Sequence, residues 1–248
     1  MKINNKILYL IALSFSLSFS FKCGHDAIKK APKILNLTTS QNNKSRRLNS
    51  YHPISFYVDY TQMENDQINY NLSSSYVNFI KSSLQLSLEL FSELLKVKRN
   101  GNIKIKNPEE CDEKIKYYNN KIKSGVDNDI ILIPIIDKTL GFDVLAAASS
   151  CYLSAEDNRP IMGYILISPF YKDYGYNNSK EYYSFLFLHE ITHILVFSVD
   201  LYKHYLYSGK VTTKKIINGK ERTLISSPKV INIAAQHFNC SLITGIEL

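Results

Sequence analysis

Apolar and polar positions change period along the chain, and the changes mark out its elements. From Ile54 to Tyr60 the sequence alternates and is rich in β-formers, which predicts a strand. Ser73 to Ser75 offer an N-cap, and Val77, Ile80, Leu84, Leu88, Phe91 and Leu95 recur at helical intervals. These predict a long amphipathic helix to about Val97. Lys98 to Ser124 is polar and charged, with Asn-Gly and Asn-Pro breakers, and reads as a surface excursion. Ile130 to Ile136 and Ile161 to Ile167 are apolar runs of strand length, and the stretch between them from Val144 to Ser150 is small and Ala-rich. Glu181 to Ser198 is apolar on nearly every side, which predicts a buried helix. No internal repeat appears. Strands alternating with two long helices predict an α+β or α/β layer fold.

Composition supports one large or two small domains, with 45% hydrophobic residues in 248. The formal charge of +8 is unevenly placed. Residues 1 to 47 hold nine Lys/Arg against the single acid Asp26, leaving 30 − 9 = 21 bases and 22 − 1 = 21 acids in the rest. The body is neutral, so nucleic-acid binding loses its support. Lys2 and Lys6 precede an apolar run from Ile7 to Phe19, then Ser18 and Ser20, the layout of a secretory signal peptide over residues 1–20. The run falls short of the roughly 20 residues that span a bilayer. An uncleaved N-terminal anchor is the alternative. Residues 21–47 then read as a pro-segment ending in Lys44-Ser-Arg46-Arg47, an exposed processing site or else a solvated linker. Five N-x-S/T sequons, at Asn36, Asn43, Asn71, Asn177 and Asn239, are compatible with secretion. Of the four cysteines, Cys111 and Cys151 lie inside the body away from its ends and are the candidate disulfide pair.

Within the buried helix stands His189-Glu190-x-x-His193. Positions i and i+4 share a helix face, so both imidazoles can reach one Zn²⁺ at about 2.0–2.1 Å. Glu190 lies to the side of that pair, where a carboxylate can take a proton from the attacking water. A lone buried histidine is usually a hydrogen-bonded core residue. Two His and a Glu in one apolar helix cost several kcal/mol unless a partner compensates, and a metal does so.

The segment HEITHILVFS resembles the active-site helix of the leishmanolysin family, secreted or surface zinc metalloproteases of the metzincin clan. Further stretches are similar to the same family. They are Cys23-Gly-His-Asp26, Tyr51-His-Pro-Ile54 through Asp59-Tyr60, Gly125-Val-Asp-Asn-Asp129 and Ala146-Ala-Ala-Ser-Ser-Cys151 through Arg159-Pro160-Ile-Met-Gly163-Tyr-Ile. Near the end, Ala235-Gln-His-Phe238-Asn-Cys240 and Thr244-Gly-Ile-Glu-Leu248 resemble the segment before the family's third zinc ligand. The resemblance implies a zincin-like α+β catalytic subdomain over 48–248, built on a twisted mixed sheet, and a secreted zinc metalloendopeptidase precursor holding one Zn²⁺. In it His189 and His193 are ligands, Glu190 is general base, and Cys23 is a thiolate that keeps the precursor latent. It also implies protein or peptide substrates held extended beside an edge strand, here Gly163, Tyr164 and Ile165. Two positions depart from the pattern. Val196 stands where the helix should end on Gly, so either the helix runs on for another turn or the site is distorted. Val199 stands where an ordinary metzincin places a third His, and the resemblance puts the third ligand downstream of Leu248, in a missing C-terminal part through which the chain would also associate with a membrane. His237 is read as structural. The alternative function is a surface or adhesion protein that keeps the scaffold without a competent site; a carboxylate third ligand such as Glu221 is a third reading.

Overall fold

Three runs of β-formers, one Ala-rich stretch and a piece of the leader assemble into a single five-stranded sheet. In the computed structural model the described residues are 2–3, 24, 28, 31–37, 51–99, 101–140, 143–169, 179–204 and 211–247. Cys23, the Ile7 to Phe19 run and the Lys44 to Arg47 cluster lie outside them. The strands are β1 (Lys33–Leu35), β2 (Phe56–Val58), β3 (Ile130–Ile136), β4 (Ala146–Ser154) and β5 (Pro160–Ile167), in the spatial order β1-β4-β5-β3-β2. β2 runs parallel to β3 and β3 to β5, β4 is antiparallel to β5, and β1 is parallel to β4. This is the mixed sheet of an α+β fold, and among the described residues it is accompanied by six α-helices.

Every residue of β3, β4 and β5 is buried, so both sheet faces need cover. Helices supply one cover. Helix α1 (Thr61–Asn69) is followed by α2 (Ser74–Leu94), capped at Ser73, whose side chain accepts from the Tyr76 amide. α2 packs against α3 (Lys180–Leu195): the Ser87 hydroxyl donates to the Ser184 carbonyl at 2.8 Å, and Phe79 meets Tyr183 edge-on at 4.6 Å. The periodicity predicted helix to about Val97, but the chain turns extended at Leu95, and Leu95–Val97 pairs with His52–Pro53 instead.

The other face is covered by the stretch expected on the surface. Ile103, Ile105, Ile115, Ile122 and Val126 are all at most 1% exposed and join a cluster with Ile131, Ile133, Tyr164 and Leu166. The physical reason is a period of two in Ile103-Lys104-Ile105-Lys106: each isoleucine turns inward while its lysine stays outside, so a segment polar on average still contributes core. Buried Gln62 fastens it, accepting from the amides of Lys116 and Tyr117 at 2.8 and 2.9 Å and donating to Asp66. Asp66 in turn accepts from the Ile136 amide of β3. The Cys111–Cys151 disulfide forms as expected and joins this stretch to β4, with Cα atoms 5.4 Å apart.

The chain divides into two units, Met1–Leu195 and Val196–Leu248. The second contains the antiparallel strands β6 (Thr212–Ile217), β7 (Lys220–Ile225) and β8 (Ile246–Glu247) and helix α4 (Pro228–His237), with a small cluster of Tyr202, Val211 and Ile225. Among the described residues no helix is long and apolar enough to cross a membrane.

Candidate active site

The apolar run predicted at Glu181 to Ser198 folds as α3, and from Phe187 to Leu195 every residue is buried. The i, i+4 spacing sets the two imidazoles on one face. Their Nε2 atoms are 3.1 Å apart, with the rings inclined at 77°. Two nitrogens bound tetrahedrally to one zinc at about 2.05 Å would stand about 3.3 Å apart, so the pair already has the spacing of two ligands. Among the described residues no third His, Cys, Asp or Glu completes a metal-binding group with them. His204, His237 and Glu221 belong to the second unit.

Glu190 is 1% exposed and turns toward β4, where the Ala148 main chain hydrogen-bonds its carboxyl group. Its Oε2 has no hydrogen-bond partner among the described residues. Burial disfavours the charged form and pushes the carboxyl up to about 8, against the opposing pull of Ala148. Two converging imidazoles beside a carboxyl group with one uncommitted oxygen can hold a divalent metal and move a proton next to it.

Other expectations are corrected by the geometry. The substrate edge assigned to Gly163, Tyr164 and Ile165 is no edge: these residues pair with Leu132, Ile133 and Pro134 on one side and with Ser150, Ser149 and Ala148 on the other. Gly163 has a different task. A Cβ built there would sit 2.5 Å from Ile194 Cγ2 and 2.9 Å from the Ser149 carbonyl oxygen, so its absence lets α3 approach β5. Val196 neither extends the helix nor takes a left-handed turn. α3 ends at Leu195, and the non-glycine residues of positive φ among those described are Asn71, Asn158, Asn218 and Asn239. A β-branched residue is disfavoured in that conformation, and here the chain leaves the helix without it.

Between β5 and the short margin strand β1 lies β4, formed by the Ala-rich stretch that the sequence left without an element. On its outer side β1 runs beside Tyr152, Leu153 and Ser154. The small side chains of Ala146, Ala147 and Ala148 were the available signal, since a strand that meets a helix closely must be slender there. Gly24, next to Cys23, packs on the same strand: a Cβ on it would fall 2.6 Å from Val144 Cγ1 and 2.7 Å from Ala147 Cβ.

The sequence profile of the leishmanolysin family matches residues 74–248. No curated protein matches the chain. A match running from the start of α2 through β3, β4, β5 and the helix of His189, Glu190 and His193 covers well over half the chain, which therefore belongs to the leishmanolysin family of metallopeptidases.

Proposed function

We propose that the protein is a secreted, zinc-dependent metalloendopeptidase made as a latent precursor. The observation that carries this reading is the approach of His189 and His193 Nε2 to 3.1 Å on a helix whose next-door Glu190 is buried against Ala148. His189 and His193 hold the metal. Zinc held there would supply Lewis acidity and make hydroxide available near neutral pH. Glu190 accepts the proton of the attacking water at Oε2 and delivers it to the leaving nitrogen. An extended peptide docks beside β4 by main-chain hydrogen bonds. Secretion is supported by the leader of residues 1–20 and by the Cys111–Cys151 disulfide, which persists in an oxidising compartment.

Latency is assigned to Cys23, whose thiolate would fill an open coordination position. The packing of Gly24 against Val144 and Ala147 supports it, because Ala147 adjoins the residue that holds Glu190. Cutting after Arg47 is then expected to release activity, and Cys23→Ala to make the cut unnecessary. A second reading, a zincin scaffold without a competent site, is favoured by the lack of a third donor among the described residues.

Zinc content and hydrolysis of an unstructured protein, measured on unaltered and His189→Ala chains after the cut, separate the two. The peptidase reading expects zinc and hydrolysis in the first and loss of both in the second. Equal zinc content in the two chains, or zinc without hydrolysis in the unaltered one, favours the incompetent scaffold.

A further inference from the structure

We propose that the outward face of the stretch from Lys98 to Ser124 binds a linear sulfated polysaccharide through Lys104, Lys106, Lys121 and Lys123. The body of the chain is neutral as a whole, but its charge is segregated. Residues 98–124 hold eight Lys/Arg against four acids, which leaves 21 − 8 = 13 bases against 21 − 4 = 17 acids in the rest of the body. A positive excess therefore sits on one short segment of a body that is elsewhere acidic.

The fold concentrates that excess further. Ile105 and Ile122 are at most 1% exposed, and the Ile105 amide donates to the Ile122 carbonyl at 3.0 Å. Beside them Ile103 and Val126 form an antiparallel bridge, with both main-chain bonds at 2.9 Å. Lys104 and Lys106 flank the first isoleucine, Lys121 and Lys123 flank the second, and all four lysines are exposed. Two separate segments thus gather four ammonium groups around one main-chain hydrogen bond. None of the four forms an ion pair with an acid among the described residues. Glu109 lies near Lys123, but its carboxylate is engaged by the Tyr118 hydroxyl. Two of the ammonium groups are already held in place, Lys121 over the Tyr57 ring at 5.1 Å and Lys123 over the Tyr118 ring at 4.9 Å. Side chains fixed in this way lose less freedom when they bind.

One exposed ammonium gains little from one anion. Four on one face gain from a chain that carries many, because each contact after the first is made at high effective concentration. A bilayer is a poorer match, since Ile103, Ile105, Ile115 and Ile122 all point inward and leave nothing aliphatic to insert. A nucleic acid is poorer too: single strands are held on open aromatic faces, and those of Tyr57 and Tyr118 carry an ammonium group. A sulfated glycan needs only the charge, and it is the polyanion that a secreted protein meets. The choice of glycan rests on the secreted reading, whereas binding does not depend on hydrolysis. The face also lies away from the candidate site. Gly163 meets Ile194 of α3, its neighbour Tyr164 joins the isoleucine cluster, and successive residues of a strand point to opposite sides. A glycan bound over the isoleucines would tether the protein and leave the helix of His189, Glu190 and His193 uncovered.

The test uses the full chain and a fluorescent heparin octasaccharide, with binding read by anisotropy at about 0.15 M salt. The unaltered protein is compared with a patch variant carrying Lys104→Gln, Lys106→Gln, Lys121→Gln and Lys123→Gln, and with a control carrying Lys81→Gln, Lys138→Gln, Lys220→Gln and Lys229→Gln. All three keep the basic leader and the two variants lose the same charge, so a difference between them belongs to the patch. The expected result is a loss of about tenfold or more in the patch variant and under about twofold in the control, with affinity restored when the four patch positions carry Arg instead. Equal losses in the two variants, failure of Arg to restore binding, or no binding by the unaltered protein overturns the proposal. The desulfated octasaccharide should bind about tenfold more weakly or worse, and equal affinity for it would remove sulfate from the account. Tighter binding of a single-stranded DNA of equal charge would assign the face to nucleic acid and sink the glycan. Hydrolysis of an unstructured protein is followed in parallel on the same chain after cutting at Arg47. Binding without hydrolysis counts against the peptidase reading alone, and hydrolysis without binding against the glycan face alone.

Discussion

At the scale of single residues, buried polar groups and one missing side chain decide the site. Gly163 admits α3 to the sheet, so Gly163→Ala drives a methyl against Ile194 and the Ser149 carbonyl. Overpacking of this kind costs about 1–3 kcal/mol, and a fall in Tm of several degrees is the expected measurement. Asp66 is one of several buried acids outside the candidate site. Burial raises its carboxyl above the ordinary value of 3.8, despite bonds from Gln62 and Ile136 that pull it down. Ionised Asp66 is therefore less favourable in the folded chain than in the unfolded one. Its contribution is greatest at low pH and diminishes as pH rises from about 3.8 through the raised folded value. Compared with the unaltered protein, Asp66→Asn should lack that decline, so the Tm difference between the two shifts in favour of the variant across that window. A difference constant with pH would show that Asp66 titrates normally.

At the scale of elements, the stretch from Lys98 to Ser124 is where average polarity misleads. Ile105 is 1% exposed inside the cluster beneath the sheet, so Ile105→Ala is expected to cost about 2–5 kcal/mol in denaturant unfolding, where a surface loop would lose under about 0.5. The helices and the two isoleucine-rich strands were legible because their periods are long and unbroken. The helix of His189, Glu190 and His193 was legible for a further reason: three polar groups in an apolar helix contradict burial unless they have a task. β4 was not legible, because Ala and Ser carry no strand preference and its place is fixed by pairing with β5. The mistaken edge at Gly163 to Ile165 has the same origin, since strand order depends on contacts distant in sequence. The end of α3 at Leu195 also escaped, because a helix can stop without the glycine signal.

At the scale of the whole molecule, the Cys111–Cys151 bridge ties the isoleucine excursion to the strand beside the candidate site and closes a loop of 40 residues. Loop-closure entropy assigns such a bridge about 4 kcal/mol. Replacing both cysteines by serine should lower Tm markedly. An unchanged Tm would place the bridge outside the stability of the fold. Of the basic leader, Lys33–Leu35 pairs with β4, and the neutral body carries His189, Glu190 and His193. The central claim is that this helix holds a metal and moves a proton beside it. Glu190→Gln, in the full chain cut after Arg47, tests it most directly, with zinc content and hydrolysis read on the same sample. The amide keeps the shape of the side chain but cannot accept the proton, so zinc content should be unchanged while hydrolysis falls by about 10²–10⁴-fold or more. Hydrolysis at the unaltered rate would contradict it.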